Sequence, residues 1–312
     1  MKILIVCSLN SGSVAPFILE QVESLQSSGA EIDYFYIKHK GLFGYLGERK
    51  SFLIRIKSFQ PKLIHAHYGL SGLLANLQFS IPVVTTFHGS DINDPRIYPF
   101  SLLASKLSFH SIFVSERNRQ KVGISNKQSF LPCGVNTDLF QPIEKDFARR
   151  ELGLELSVKY VLFAGAFQNP VKNAKLAQAA VELLPNVILL ELKGYTREQV
   201  VLLMNAVDAV LMTSLTEGSP QFIKEAMACN CPIVSVPVGD VSEIVQGVLG
   251  CRIATYDAFE LSNQLQIVLQ AGKRTEGRLR IFQLGLDATT ISGKVLAVYR
   301  TLILNRMDTI ID

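Results

Sequence analysis

Several things are scarce or missing in this chain of 312 residues, and each narrows what it can be. Cysteine is sparse: Cys7, Cys133, Cys229, Cys231 and Cys251 are odd in number and irregularly spaced, without the pairing arithmetic of a disulfide framework. A reduced, cytoplasmic-type chain is expected. No apolar run reaches the ~18–20 residues of a membrane span. The apolar N-terminus, Met1–Cys7, has no cleavage site and leads directly into Ser8–Ser13, so it reads as a buried strand and a loop. There is no aromatic-basic RNA-binding signature and no zinc-finger spacing, which removes nucleic acid as a partner. No Gly-x-Gly-x-x-Gly follows Val6, which argues against a plain dinucleotide-dependent dehydrogenase. His65-Ala-His67 puts two imidazoles on one strand face without an evident third ligand. Cys229-Asn-Cys231 lacks the four ligands of zinc, so no metal is expected.

What is present is apolar and regular. The chain is 48% hydrophobic and 19% charged, enough for a large core, and its length suits two domains. Residues 1–142 carry 14 Lys and Arg against 9 Asp and Glu, whereas the remainder carries 17 against 18. Much of the excess lies in Lys38, Lys40, Arg49, Lys50, Arg55, Lys57 and Lys62. Such a cluster could attract an anionic membrane surface or an acidic acceptor; a solvated helix face is the simpler reading. Short apolar strands alternate with helical patterns throughout. Strands are predicted at Lys2–Cys7, Glu31–Ile37, Leu63–His67, Val83–Phe87, Ser111–Val114 and Gln128–Leu131, with helices over Pro16–Ser27 and Gly69–Leu77. After the turn-rich Pro132–Pro142 the pattern restarts. Strands are expected at Tyr160–Ala164, Val187–Leu192, Ala209–Thr213 and Pro232–Val236. Helices fall at Ala174–Leu184, Arg197–Ala206, Gln221–Ala228, Ser242–Val245, Ala258–Gln270 and Gly293–Asn305. Alternation of this kind means α/β architecture: right-handed βαβ units around parallel sheets, in two Rossmann-like domains with ligands at the strand C-terminal edges.

The most informative stretch is Ser214–Glu225, S-L-T-E-G-S-P-Q-F-I-K-E. A strand empties into a turn carrying Glu217, and a helix follows with Glu225 in its first turns. Ser219 reads as the N-cap and Pro220 as the first helical position, so backbone N–H groups from Ser219 to Phe222 face a site suited to phosphate. Carboxylates on either side of that site suit sugar hydroxyls. A diphosphate flanked by hydroxyl-bearing rings is a nucleotide-sugar.

Taken in order, Leu192–Asp208, Glu217-x7-Glu225-Ala-Met-Ala-Cys229, Pro232-Ile-Val, Phe87-His-Gly-Ser-Asp91 and Leu131–Pro142 resemble a family 4 retaining glycosyltransferase of the two-domain GT-B fold. The resemblance implies an acceptor-side domain over 1–142, a donor domain over 143–290 and a last helix, 291–312, packing back on the first domain across the cleft. It implies that Glu225 accepts hydrogen bonds from the donor ribose, with Gly218, Ser219, Pro220, Gln221 and Phe222 lining the diphosphate. Glu217 would hold hydroxyls of the transferred sugar, and His88 would approach the reacting carbon, partly through its carbonyl. Lys172, beyond Gly165, would neutralise the leaving diphosphate. Here the chain departs from the family, which has an arginine directly after that glycine; Gly165-Ala166-Phe167 stands instead. Gly12 and Ser13, in Ser11-Gly12-Ser13, with Asp91, would belong to the acceptor and phosphate loops. No Asp-x-Asp occurs, so no cofactor or metal is expected, and the nucleotide-sugar is a substrate. The implied reaction moves a hexosyl-type sugar, with retention, to a hydroxyl of a glycan or lipid-linked glycan in bacterial surface polysaccharide synthesis. A nucleotide-sugar epimerase or hydrolase of the same fold, or a non-catalytic binding subunit, are the alternatives.

Overall fold

A computed structural model describes residues 1–10 and 12–311, the last seven of these as helical backbone alone; Ser11, of Ser11-Gly12-Ser13, and Asp312 lie outside the described residues. Two compact units result. One comprises Met1–Gly134 together with Ala288 onward, the other Val135–Asp287.

The first unit is built on a six-stranded sheet. Its strands are β1 (Lys2–Ser8), β2 (Glu31–Ile37), β3 (Leu63–His67), β4 (Val83–Phe87), β5 (His110–Phe113) and β6 (Gln128–Phe130), in the order β2-β1-β3-β4-β5-β6. Every pairing is parallel. A parallel sheet is covered on both faces, so its strands read as unbroken apolar runs, and Ile3 to Cys7 are all fully buried. Successive side chains still divide between faces. Ile3, Ile5 and Cys7 join Val22 and Leu25 of the helix Pro16–Ser27, with Val295 and Tyr299 of the terminal helix Ala288–Ile311. Leu4 and Val6 meet Phe35, Phe52 and Leu74 on the other side.

The second unit carries a five-stranded parallel sheet of β7 (Lys159–Phe163), β8 (Val187–Glu191), β9 (Ala209–Met212), β10 (Ile233–Ser235) and β11 (Cys251–Ile253), ordered β11-β10-β9-β7-β8. The turn-rich segment after Pro132 is divided between the units. Its second half is held to the second unit by the Val135 N–H on the Leu286 carbonyl at 2.9 Å. Arg278 adds bonds to the carbonyls of Thr137 (2.9 Å) and Phe140 (2.7 Å). At the amino ends of β7 and β9, buried Asp208 accepts from Lys145 (2.5 Å), Arg149 (2.9 Å) and the Tyr160 N–H (2.8 Å). Burial alone would raise its carboxyl pKa; these donors outweigh burial and hold it below the ordinary range.

Both strand orders contain a reversal, between β1 and β3 in one sheet and between β7 and β9 in the other. The carboxyl ends flanking such a reversal leave a crevice in which ligands of open α/β sheets bind.

Candidate active site

The second unit places its chemistry at the carboxyl ends of β7 and β9. After β7 the chain passes Gly165 and forms a short 3₁₀ turn, Pro170–Lys172, capped by the Asn169 side chain on the Val171 N–H at 3.1 Å. Thr213, beyond β9, donates its hydroxyl to the carbonyls of Lys172 (2.9 Å) and Asn173 (3.0 Å). The Leu215 N–H bonds the Val171 carbonyl at 2.8 Å, so the two loops form one body. Lys172 Nζ then meets Glu217 Oε1 at 2.6 Å, an ion pair only partly open to solvent. Gly165 makes this geometry reachable. At φ +152° a Cβ there would lie 2.9 Å from Lys172 Cγ, so the lysine stem crosses where a side chain would stand. Lys172 and Glu217, expected to serve phosphate and sugar separately, are thus joined to each other.

The helix Gln221–Ala228 begins one residue later than the cap pattern implies. Pro220 occupies the N-cap position with extended backbone, and no side chain caps the helix; Ser219 stands ahead of it. Proline has no N–H, so among Ser219 to Phe222 only three residues can offer one, a correction to the expected cradle. The loop's other wall is close: a Cβ on Gly239 (φ +60°) would lie 2.6 Å from the Gly218 carbonyl oxygen. Glu225 is buried, and its Oε1 accepts from Arg197 Nη2 at 2.7 Å. Lys224 beside it is fully buried and faces Asp240, whose carboxyl is pushed up by burial and drawn back by that lysine. Sequence reasoning did not assign roles to Arg197, Lys224 or Asp240. Arg197 stood within the segment that carries the resemblance, yet nothing in its spacing points to Glu225.

In the first unit, His88 follows β4 in a turn fixed by Asp91. The Asp91 carboxylate accepts the backbone N–H groups of Gly69 (3.0 Å), His88 (3.1 Å) and Gly89 (3.0 Å). Burial raises its pKa to about 6 against those hydrogen bonds. Asp91 therefore organises the loop from inside and does not project from it. His88 Nε2 lies 3.0 Å from His67 Nδ1, and its Nδ1 lies 3.7 Å from Cys133 Sγ. Both imidazole nitrogens are thus engaged within the unit. His65 bonds Thr86 Oγ1 (2.7 Å) and the Tyr299 hydroxyl (2.5 Å), so the His-x-His pair is committed to packing. Burial lowers the pKa of His65 well below the ordinary value and that of His67 to about 3. Gly12, at φ +95°, donates its N–H to the Leu9 carbonyl (2.8 Å), and Gly12 and Ser13 are exposed beyond the carboxyl end of β1.

Comparison with known proteins is consistent across both units. The family described as Glycosyltransferase Family 4 matches residues 19–139, and that described as Glycosyl transferases group 1 matches residues 155–271, about three quarters of the chain between them. The chain is 25% identical over 221 residues to the putative teichuronic acid biosynthesis glycosyltransferase TuaC of Bacillus subtilis, covering 60% of this chain and 56% of that protein. It is 24% identical over 294 residues to the D-inositol 3-phosphate glycosyltransferase of Mycobacterium marinum, covering 76% and 63%. The chain therefore spans less than two thirds of the length of these relatives. Sucrose-phosphate synthase from Thermosynechococcus elongatus superposes with a TM-score of 0.83 at 19% identity, over 98% of this chain and 100% of that one. Anabaena HepE in complex with UDP-glucose gives 0.75 at 16% identity, over 96% and 100%. Two parallel sheets, each with loops built at its strand reversal, and two matching halves in order make this chain a member of the family 4 glycosyltransferases, with the GT-B fold.

Proposed function

We propose that the chain is a retaining glycosyltransferase that moves a hexosyl-type sugar from a nucleoside diphosphate to a hydroxyl of a glycan or lipid-linked glycan. The observation that carries this reading is the pairing of Lys172 with Glu217 and of Arg197 with Glu225 on either side of one helix start. Lys172 beside a helix N-terminus suits a diphosphate; two carboxylates flanking it suit sugar and ribose hydroxyls. The bond from the sugar's anomeric carbon to the phosphate oxygen breaks and that carbon bonds the acceptor oxygen on the same face. The acceptor proton passes to the departing phosphate. Lys172 and the helix terminus stabilise the charge that develops on the diphosphate, which is the largest protein contribution to such a step. Within the first unit the His88 ring is held by His67 and Cys133, which suits the backbone role that the resemblance implies for it. Glu217 binds hydroxyls, and no metal ion is needed in this scheme.

The relation to a teichuronic acid enzyme favours bacterial surface polysaccharide as the product class. The basic face of the first unit would rest on an anionic membrane, where lipid-linked acceptors lie; among the described residues no helix is long and apolar enough to cross one.

Thermal unfolding with UDP-, GDP-, ADP- and dTDP-sugars tests the donor site. A ligand at a hundred times its Kd stabilises the native state by about 2.7 kcal/mol. One nucleotide is expected to raise the midpoint by several degrees, and Glu225→Ala to abolish the rise. No rise with any of them, or one unchanged in Glu225→Ala, would remove the assignment.

A further inference from the structure

The Arg197 guanidinium lies between two fixed surfaces. On one side is the Glu225 carboxylate at 2.7 Å. On the other is the Phe140 ring, with the guanidinium carbon 4.6 Å from its centroid. Both surfaces are buried. Phe140 is fully buried, and its carbonyl is held by Arg278 at 2.7 Å. Glu225 sits inside the buried helix Gln221–Ala228. The backbone of Arg197 is fixed too: it is the first residue of the helix Arg197–Ala206, directly after Thr196. Thr196 and Gln199 there form a reciprocal capping box, with bonds of 3.3 and 3.0 Å.

An ion pair stacked on an aromatic ring, with its carboxylate buried and its guanidinium half-buried, holds its geometry better than an exposed pair of long side chains. The contact reaches one carboxylate oxygen of Glu225, Oε1; a carboxylate offers about four acceptor sites, so the group keeps capacity to bind more. Without that partner the carboxylate would be free to turn, and a turned carboxylate is lost as a hydroxyl acceptor.

We infer that Arg197 is a positioning residue for ribose recognition: clamped by Phe140, it keeps Glu225 aimed so that its remaining lone pairs meet the nucleoside hydroxyls. This rests on the donor-site reading above and deepens it. It also makes discrimination between ribo- and 2′-deoxyribonucleotides depend on a residue that need not touch the sugar.

The test is a cycle across protein and ligand. Of UDP, GDP and ADP, the one giving the largest thermal shift is titrated calorimetrically, alongside its 2′-deoxy form. Wild type, Arg197→Ala, Arg197→Lys and Glu225→Ala are compared. Hydrogen bonds to charged groups predict that wild type loses about tenfold or more in affinity without the 2′-hydroxyl. Arg197→Ala is expected to bind both forms equally and as weakly as wild type binds the deoxy form. Arg197→Lys, which keeps the charge but not the planar stack, should fall between. Unchanged ligand-free melting midpoints and circular dichroism show that the variants are folded. If Arg197→Ala keeps the tenfold preference, or binds the ribonucleotide more tightly, the positioning role is wrong while the donor site stands. If Glu225→Ala keeps the preference, ribose recognition at Glu225 fails, and the proposal fails with it.

Discussion

Gly165 shows how one missing Cβ sets the charge geometry of the site. The Lys172 stem runs over the glycine, with Cγ 2.9 Å and both Cδ and Cε 3.3 Å from the point a Cβ would take. The contact falls at Cγ, so relieving it means turning the lysine at χ1 and swinging its whole stem, and φ +152° is a conformation that L side chains rarely adopt. Gly165→Ala is therefore expected to cost about 1–3 kcal/mol of stability and to push Lys172 away from Glu217. Two melting experiments check it: a lower midpoint without ligand, and a smaller midpoint rise with the preferred nucleotide-sugar. A variant matching wild type in both would show that the lysine reaches Glu217 by another path. Where the resembled family has an arginine after this glycine, this chain has Ala166.

At the scale of elements, β3 and the turn after β4 carry much of the titration behaviour of the first unit, and His110 on β5, lowered by burial, acts in the same direction as the β3 pair. His65 and His67 are fully buried and neutral, with pKa values below the unfolded value near 6.5. The native state then binds fewer protons than the unfolded chain. Their contribution is complete above pH 6.5 and is lost as pH falls toward 3. Asp91, raised to about 6, has the opposite slope between roughly pH 4 and 6 and cancels about one histidine there. The remaining histidine predicts a loss of about 2 kcal/mol between pH 7 and pH 5. Melting across that range should fall by several degrees, and a flat profile would contradict the buried neutral pair. These elements were among the most legible in the sequence. β2, β3 and β4, with the helix Arg197–Ala206, have the bounds that their apolar runs and flanking turns predict. β11 was not legible, since Cys251-Arg252-Ile253 is three residues long with an exposed arginine in the middle. Nor was the helix Gly277–Leu284, which opens on glycine and turns Arg278 inward to backbone carbonyls. Of the site, the carboxylates and the lysine could be named from motif and position. Their partners could not: Arg197 and Glu225 lie 28 positions apart on different helices, and only the folded chain brings them together.

Over the whole molecule the net charge is only +4, yet residues 38–62 hold seven Lys and Arg against one Glu. That glutamate, Glu48, is taken by His39 at 2.7 Å. Large apolar side chains stand out in the same region: Phe43 is 87% exposed and Ile54 62%. Arg49 donates to the Leu77 carbonyl at 3.3 Å, which brings the basic run beside a loop that displays Phe79, 80% exposed. Phe79 has φ +59°, an uncommon conformation for an aromatic residue. Gln78 fixes the loop, accepting from the Ser80 and Ile81 N–H groups at 2.8 Å and donating to the Ile81 carbonyl at 2.7 Å. Basic charge fringing exposed aromatics suits an anionic lipid surface. Co-sedimentation with phosphatidylglycerol vesicles is expected at low salt, weakening as salt rises, with little binding to phosphatidylcholine alone. At about 1 kcal/mol per cation, Lys40→Gln, Lys50→Gln and Lys57→Gln combined should weaken binding roughly a hundredfold. Equal binding to both vesicles, or none to either, would refute the membrane reading.

The division of the first unit between the two ends of the chain bears on its birth at the ribosome. Ile18, Val22 and Leu25 share a cluster with Val295, Tyr299 and Leu302, more than 260 residues later. The second unit, continuous from Val135 to Asp287, has its whole core once its last strand and helices have emerged. The first must wait, its β1 face uncovered and His65 without the Tyr299 hydroxyl, until the final helix leaves the exit tunnel. Although domains generally fold in the order they are made, here the part synthesised first is the last that can close.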